Sequence, residues 1–189
     1  MSGLLLIIAL SGPSWKDKQV PALENSSALV IALDLSRSMN ASDQLPSRLQ
    51  RAKFKIYDIL NLRKEGETAL IAYAGDAFTV SPLTDDVQTI NAQLPALTPD
   101  IMPVQGNNLR AALQESIDLL LQAEHSTGDI LLITDDVNGA DDLELFKEAA
   151  QHGFRTSILG VGTIEGAPVP VGNRFFTCLL YTSPSPRDS

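Results

Sequence analysis

A chain of 189 residues, 44% hydrophobic and 20% charged, is long enough to bury a full core as one domain, which excludes wholesale disorder and any need for disulfide or metal staples. A net charge of −9 with no cluster of Lys or Arg opposes a phosphate backbone, so nucleic acid is set aside as a partner and a cation is favoured. The single cysteine, Cys178, can form no internal disulfide and leaves the redox compartment open.

Leu4 to Leu10 (LLLIIAL) is an uncharged apolar run followed by Ser-Gly-Pro and Trp15-Lys16, the order found where a membrane helix leaves the bilayer. The run is far shorter than the ~20 residues of a spanning helix. Residues 1–15 are therefore expected to be the remnant of such a helix or its exit, and residues 16–27 a linker. Asn25-Ser26-Ser27 has the form of a glycosylation sequon.

Residues 28 to 33 (ALVIAL) form a continuous apolar run, as in a strand buried on both faces of a parallel sheet. Ser47-Arg48-Leu49-Gln50 reads as a capping box opening a helix with Leu49, Ala52, Ile56, Ile59 and Leu60 at helical spacing, ending near Gly66. A second strand over Thr68 to Ala74 turns at Gly75-Asp76 into a third over Phe78 to Ser81, which is antiparallel, at an edge and closed by Pro82. Thr84-Asp85-Asp86 caps a short helix to about Leu94, and Pro95, Pro99 and Pro103 keep the stretch to Gly106 as a loop.

A third helix spans about Asn108 to Ala123, with Leu109, Ala112, Leu113, Ile117, Leu120 and Leu121 on its apolar stripe. Asp129 to Thr134 (DILLIT) is a fourth strand, Asp141 to Gln151 a helix stopped by Gly153, and Phe154 to Val161 a fifth strand. The alternation predicts an α/β fold, a doubly wound and mostly parallel sheet with one antiparallel edge strand.

In such a sheet ligands bind beyond the carboxyl ends of the strands where strand order reverses. If the first and fourth strands are neighbours there, the residues that leave them are Asp34 and Asp135. A buried unpaired carboxylate is costly, and a cation between the two relieves that cost. Residues two apart in an extended segment point the same way, so Asp34, Ser36 and Ser38 aim one carboxylate and two hydroxyls at one point. Hard oxygen donors of low total charge suit Mg²⁺ or Mn²⁺. The bland alternatives are that the serines are turn residues and that Asn107 and Asn108 cap the third helix. Asp136, Asp141 and Asp142 read as helix-start or solvated residues, and His125 and His152 as surface residues.

The pattern D-x-S-x-S after a hydrophobic strand, with Q-G-N-N-L opening a later helix and L-L-I-T-D ending a later strand, resembles the metal-ion-dependent adhesion site of von Willebrand factor A-type domains. The stretches SGPSW, LIAYAGDAFTVSPLTDD and GVGTIEGAPVPV resemble bacterial membrane-anchored members of the BatB type. This resemblance implies that Asp34, Ser36 and Ser38 are loop ligands and that Asp135 acts directly or through a water. It also implies an open metal position filled by an acidic side chain of a partner protein, and a domain held at the cell membrane on its extracytoplasmic side. Family members commonly carry Thr directly after the glycine where this chain has Asn107, whose carbonyl oxygen is the longer substitute.

A metal-dependent hydrolase is the rival among enzymes, but no Gly-x-Ser-x-Gly elbow, Walker loop or Cys/His pairing is present, so no enzyme is expected. A metal-free scaffold disabled at Asn107 is the second alternative. The resemblance also implies a strand and helix after the fifth strand that are missing here, so residues 28–177 read as an incomplete domain. The stretch CLLYTSPSPRDS over residues 178–189 resembles translated adapter sequence and reads as a non-native tail.

Overall fold

A computed structural model describes residues 28–43, 45–136, 143–162, 167–171 and 174–178. The expected membrane remnant, linker, sequon and most of the tail lie outside the described residues, as do Asp141 and Asp142. Among the described residues no helix is long and apolar enough to cross a membrane.

The strands β1 (Ala28–Asp34), β2 (Thr68–Tyr73), β3 (Ala77–Thr84), β4 (Gly128–Thr134) and β5 (Phe154–Gly160) form one sheet in the order β3-β2-β1-β4-β5. Every pairing is parallel except β2 with β3. The helices are α1 (Arg48–Leu62), α2 (Val87–Gln93), α3 (Leu109–Gln122) and α4 (Leu143–Gln151). The predicted fold class therefore holds.

β1 is buried at every residue because both of its faces are covered. Leu29, Ile31 and Leu33 pack in one layer with Leu49, Ala52, Ile56 and Leu60 of α1. Ala28, Val30 and Ala32 pack in the other with Leu109, Leu113 and Ile117 of α3. This is the physical content of an apolar run without alternation: each successive side chain enters a different core. Fully burying Ile31 or Leu33 contributes about 1.5–3 kcal/mol each, so the strand that carries Asp34 is held hard in place.

Three boundaries depart from expectation. β3 does not close at Pro82 but runs to Thr84, and its pairing with β2 is irregular between Thr68 and Leu70, opposite the proline. An edge strand with a register break there requires no ladder donor from that residue. α1 ends at Leu62, before Gly66, because Arg63 leaves the helical region at ψ 122° while its N–H still caps Ile59. After β5 the chain forms two strands where none was expected, β6 (Ala167–Val171) and β7 (Arg174–Cys178). Among the described residues they pair only with each other, and β5 is the edge of the five-stranded sheet. Residue 178, where the expected tail begins, is the last residue of β7.

Candidate metal centre

Asp34 is the last residue of β1, and both of its carboxylate oxygens are engaged. Oδ1 accepts from the Ser36 N–H at 2.7 Å, and Oδ2 accepts from the Thr134 hydroxyl at 2.7 Å across the β1–β4 boundary. Asp34 and Asp135 are both fully buried. Burial is the main cause that pushes the Asp34 carboxyl up to about 6; the nearby charge of Asp135 adds to it, and the bonds from Ser36 and Thr134 oppose it.

The hydroxyls converge, but not by the route expected. The chain is extended only to Ser36 and then tightens into a 3₁₀ turn over Arg37–Asn40, anchored by buried Met39. That turn, rather than strand alternation, brings Ser36 Oγ to 2.9 Å from Ser38 Oγ. Ser38 Oγ in turn donates to Asp135 Oδ1 at 3.0 Å. The result is a row of three hard oxygens beside Asp34. In an octahedral Mg²⁺ shell with bonds of about 2.0–2.1 Å, adjacent ligand oxygens lie about 2.9–3.0 Å apart. The spacings of 2.9 and 3.0 Å equal that edge and are also those of ordinary hydrogen bonds, so the donor set is compatible with such an ion. Among the described residues no group of three or more His, Cys, Asp or Glu is disposed to hold a metal; hydroxyls make up the rest of this donor set.

Asn107 sits at the same end of the sheet. Its Nδ2 donates to the backbone carbonyl of Asp136 at 3.2 Å, which places it beside the β4 terminus rather than on the serine pair. The helix cap is Asn108, whose Oδ1 accepts from Ala111 N at 3.1 Å while its Nδ2 donates to the Gly75 carbonyl at 3.0 Å. Gly75 positions this loop: its N–H donates to the Val104 carbonyl at 3.0 Å, and a Cβ there would stand 2.5 Å from Val104 Cγ1 and 3.0 Å from the Gln105 carbonyl. Gly75→Ala is expected to displace the segment leading to Asn107 and to cost about 1–3 kcal/mol by the overpacking it forces. A urea-unfolding curve superimposable on wild type would refute this.

Sequence reasoning missed two supporting residues. Thr134 fixes Asp34, as above. Arg48, read only as part of a capping box, is among the largest fully buried side chains of the described residues. Nε and Nη2 form a fork onto Asp43 at 2.8 and 2.9 Å, and Nη1 donates to Asp135 Oδ2 at 2.6 Å. A signal for it was present: a basic residue in the first turn of a helix opposes the macrodipole and calls for a local partner. The histidines lie elsewhere. His125, expected on the surface, is half-buried with Nε2 2.8 Å from Glu67, and the His152 ring stacks on Phe154.

The sequence profile of the von Willebrand factor type A domain matches residues 29–138. In structure the chain is similar to an aerotolerance-related membrane protein from Bacteroides fragilis, at 29% identity and a TM-score of 0.75, covering 82% of each chain. It is likewise similar to the conserved hypothetical protein BatB from Bacteroides thetaiotaomicron, at 32% identity and a TM-score of 0.75, covering 82% of this chain and 81% of that one. An uncharacterized protein of Borreliella burgdorferi is 27% identical over 170 residues, 87% of this chain and 49% of its own length. The chain thus spans about half of that relative.

Proposed function

Because the chain belongs to the von Willebrand factor type A domain family, we propose that it is a protein-binding module in which Asp34, Ser36, Ser38, Asp135 and Asn107 hold a Mg²⁺ or Mn²⁺ ion that an acidic side chain of a partner protein completes. The observation that supports this reading most is the row Ser36 Oγ, Ser38 Oγ and Asp135 Oδ1, spaced at 2.9 and 3.0 Å beside a buried carboxylate. A divalent ion bound there supplies an open position for a carboxylate. The chain's own residues do the rest: β1 fixes Asp34, the 3₁₀ turn presents the hydroxyls, and Thr134 stops the Asp34 carboxylate from rotating.

The membrane is part of the same proposal. Its supports are the apolar run Leu4 to Leu10 and the likeness to a membrane protein of Bacteroides fragilis. The domain would face the periplasmic or extracytoplasmic side, so protease added to spheroplasts should cleave it. Protection until the spheroplasts are lysed would overturn that placement.

A second reading, a metal-free scaffold, is favoured by the Arg48–Asp135 contact at 2.6 Å and by Asn107 Nδ2 on the Asp136 carbonyl, since both satisfy the site without an ion. Calorimetric titration with Mg²⁺ and Mn²⁺ separates the two. Metal binding with a rise in melting temperature supports the module, and Asn107→Thr, which supplies a hydroxyl, should tighten it several-fold. No heat and no stabilisation at millimolar metal, in both wild type and Asn107→Thr, would leave the scaffold.

A further inference from the structure

We infer that Arg48 is a positioning residue for the metal-facing oxygen of Asp135, and that Asp43 exists to hold Arg48 in the orientation this requires. The inference rests on the metal-site reading above. Arg48 is the first residue of α1, and its backbone N–H donates to the Ala41 carbonyl at 2.9 Å, so the side chain leaves from a fixed point. The Asp43 fork takes Nε and Nη2 together, which sets the plane of the guanidinium as well as its place. Gly162, at φ +147°, lies on the far side: a Cβ there would stand 3.2 Å from Nε and 3.3 Å from Cζ and would press on the guanidinium.

With its plane set, Arg48 offers Nη1 to Asp135 Oδ2, and the other oxygen, Oδ1, faces Ser38 Oγ. The carboxylate is thereby split into an oxygen that belongs to the protein and an oxygen that belongs to the site. Asp135 can then serve an ion, or an ion-bound water, through Oδ1 alone. Stability does not explain this arrangement. A buried ion-pair cluster is often no more stable than apolar residues of like volume, and an apolar residue cannot hold a carboxylate by one oxygen. Neighbours of a ligand that fix its orientation commonly account for 10–100-fold in metal affinity.

The test is a double-mutant cycle on the full chain with Mn²⁺ alone as the probe. Arg48→Lys keeps the charge and loses the fork, and should weaken Mn²⁺ binding about tenfold or more. In an Asp135→Ala background the same change should have almost no further effect, because the carboxylate it positions is gone; a merely structural role would lower affinity by the same factor in both backgrounds. Asp43→Asn, which leaves Arg48 and Asp135 in place but loosens the fork, should show the same non-additivity with a smaller loss, and it decides the matter if Arg48→Lys fails to fold. A metal-free readout accompanies the cycle: amide hydrogen exchange of residues 36–41 and 135–136 in EDTA should quicken at least tenfold in Arg48→Lys or Asp43→Asn. Additive losses, wild-type Mn²⁺ affinity in a folded variant, or unchanged exchange would each overturn the inference. Absence of Mn²⁺ binding in wild type would defeat the metal-site reading instead, and the exchange measurement would still decide whether Arg48 fixes the Asp135 loop.

Discussion

Replacing Asp34 by Asn is expected to raise the stability of the metal-free protein at neutral pH while removing its metal binding. Burial lifts the Asp34 carboxyl from 3.8 to about 6, so between those values the folded state binds a proton that the unfolded state has released. Stability therefore falls as pH rises through that window, by a total of about 3 kcal/mol by pH 7. Asn carries no charge to desolvate and retains an oxygen for the Ser36 N–H, while its amide group can donate to the Thr134 hydroxyl, which also contacts the Asp136 carbonyl at 3.0 Å. In EDTA, urea unfolding of the wild type should give a higher midpoint at pH 5 than at pH 8, and Asp34→Asn should flatten that difference. Loss of a charged ligand should cost at least ~100-fold in Mn²⁺ affinity, more than a supporting neighbour costs. Unaltered Mn²⁺ binding in the variant would sink Asp34 as a ligand, and a flat wild-type pH profile would sink the account of its burial.

Arg48→Met is expected to be the most damaging single change outside the apolar core. It leaves Asp43 and Asp135 facing one another without their cation, and Asp135 is fully buried. Removing one partner of a buried pair costs about 3–5 kcal/mol. The triple variant Asp43→Leu, Arg48→Met and Asp135→Leu should recover most of that loss, because an apolar set of similar volume carries no desolvation cost. It should recover no metal binding. Denaturant titrations of the two variants decide this: equal destabilisation in both would mean that the ion cluster supports the fold in its own right.

Much of the architecture could be read from β1 and β4, whose runs ALVIALD and GDILLIT carry apolar residues on both faces. The two aspartates were legible for the same reason, as charges leaving strands whose buried residues are almost all apolar. The 3₁₀ turn was not. Ser36 and Ser38 meet under either an extended or a turned backbone, so their convergence was expected from a geometry the chain does not adopt. Arg48 was opaque because its meaning depends on Asp135, 87 residues away, and local helix signals account for it just as well. Pro82 misled for a related reason: its effect on a strand depends on which neighbour needs the missing donor, and β3 has a neighbour on one side only.

β1 occupies the centre of the sheet, with residues 29–34 paired to β2 and residues 28–33 paired to β4. A segment tied on both sides opens only when the whole domain opens, whereas edge strands fray at far lower free energy. Asp34 is the last residue of that central strand and pairs with Tyr73 of β2, so its release should require β1 itself to open. Metal capture and foldedness should consequently be lost in one cooperative transition under denaturant, and any gradual tuning of binding must come from the loops that face Asp34 across the site.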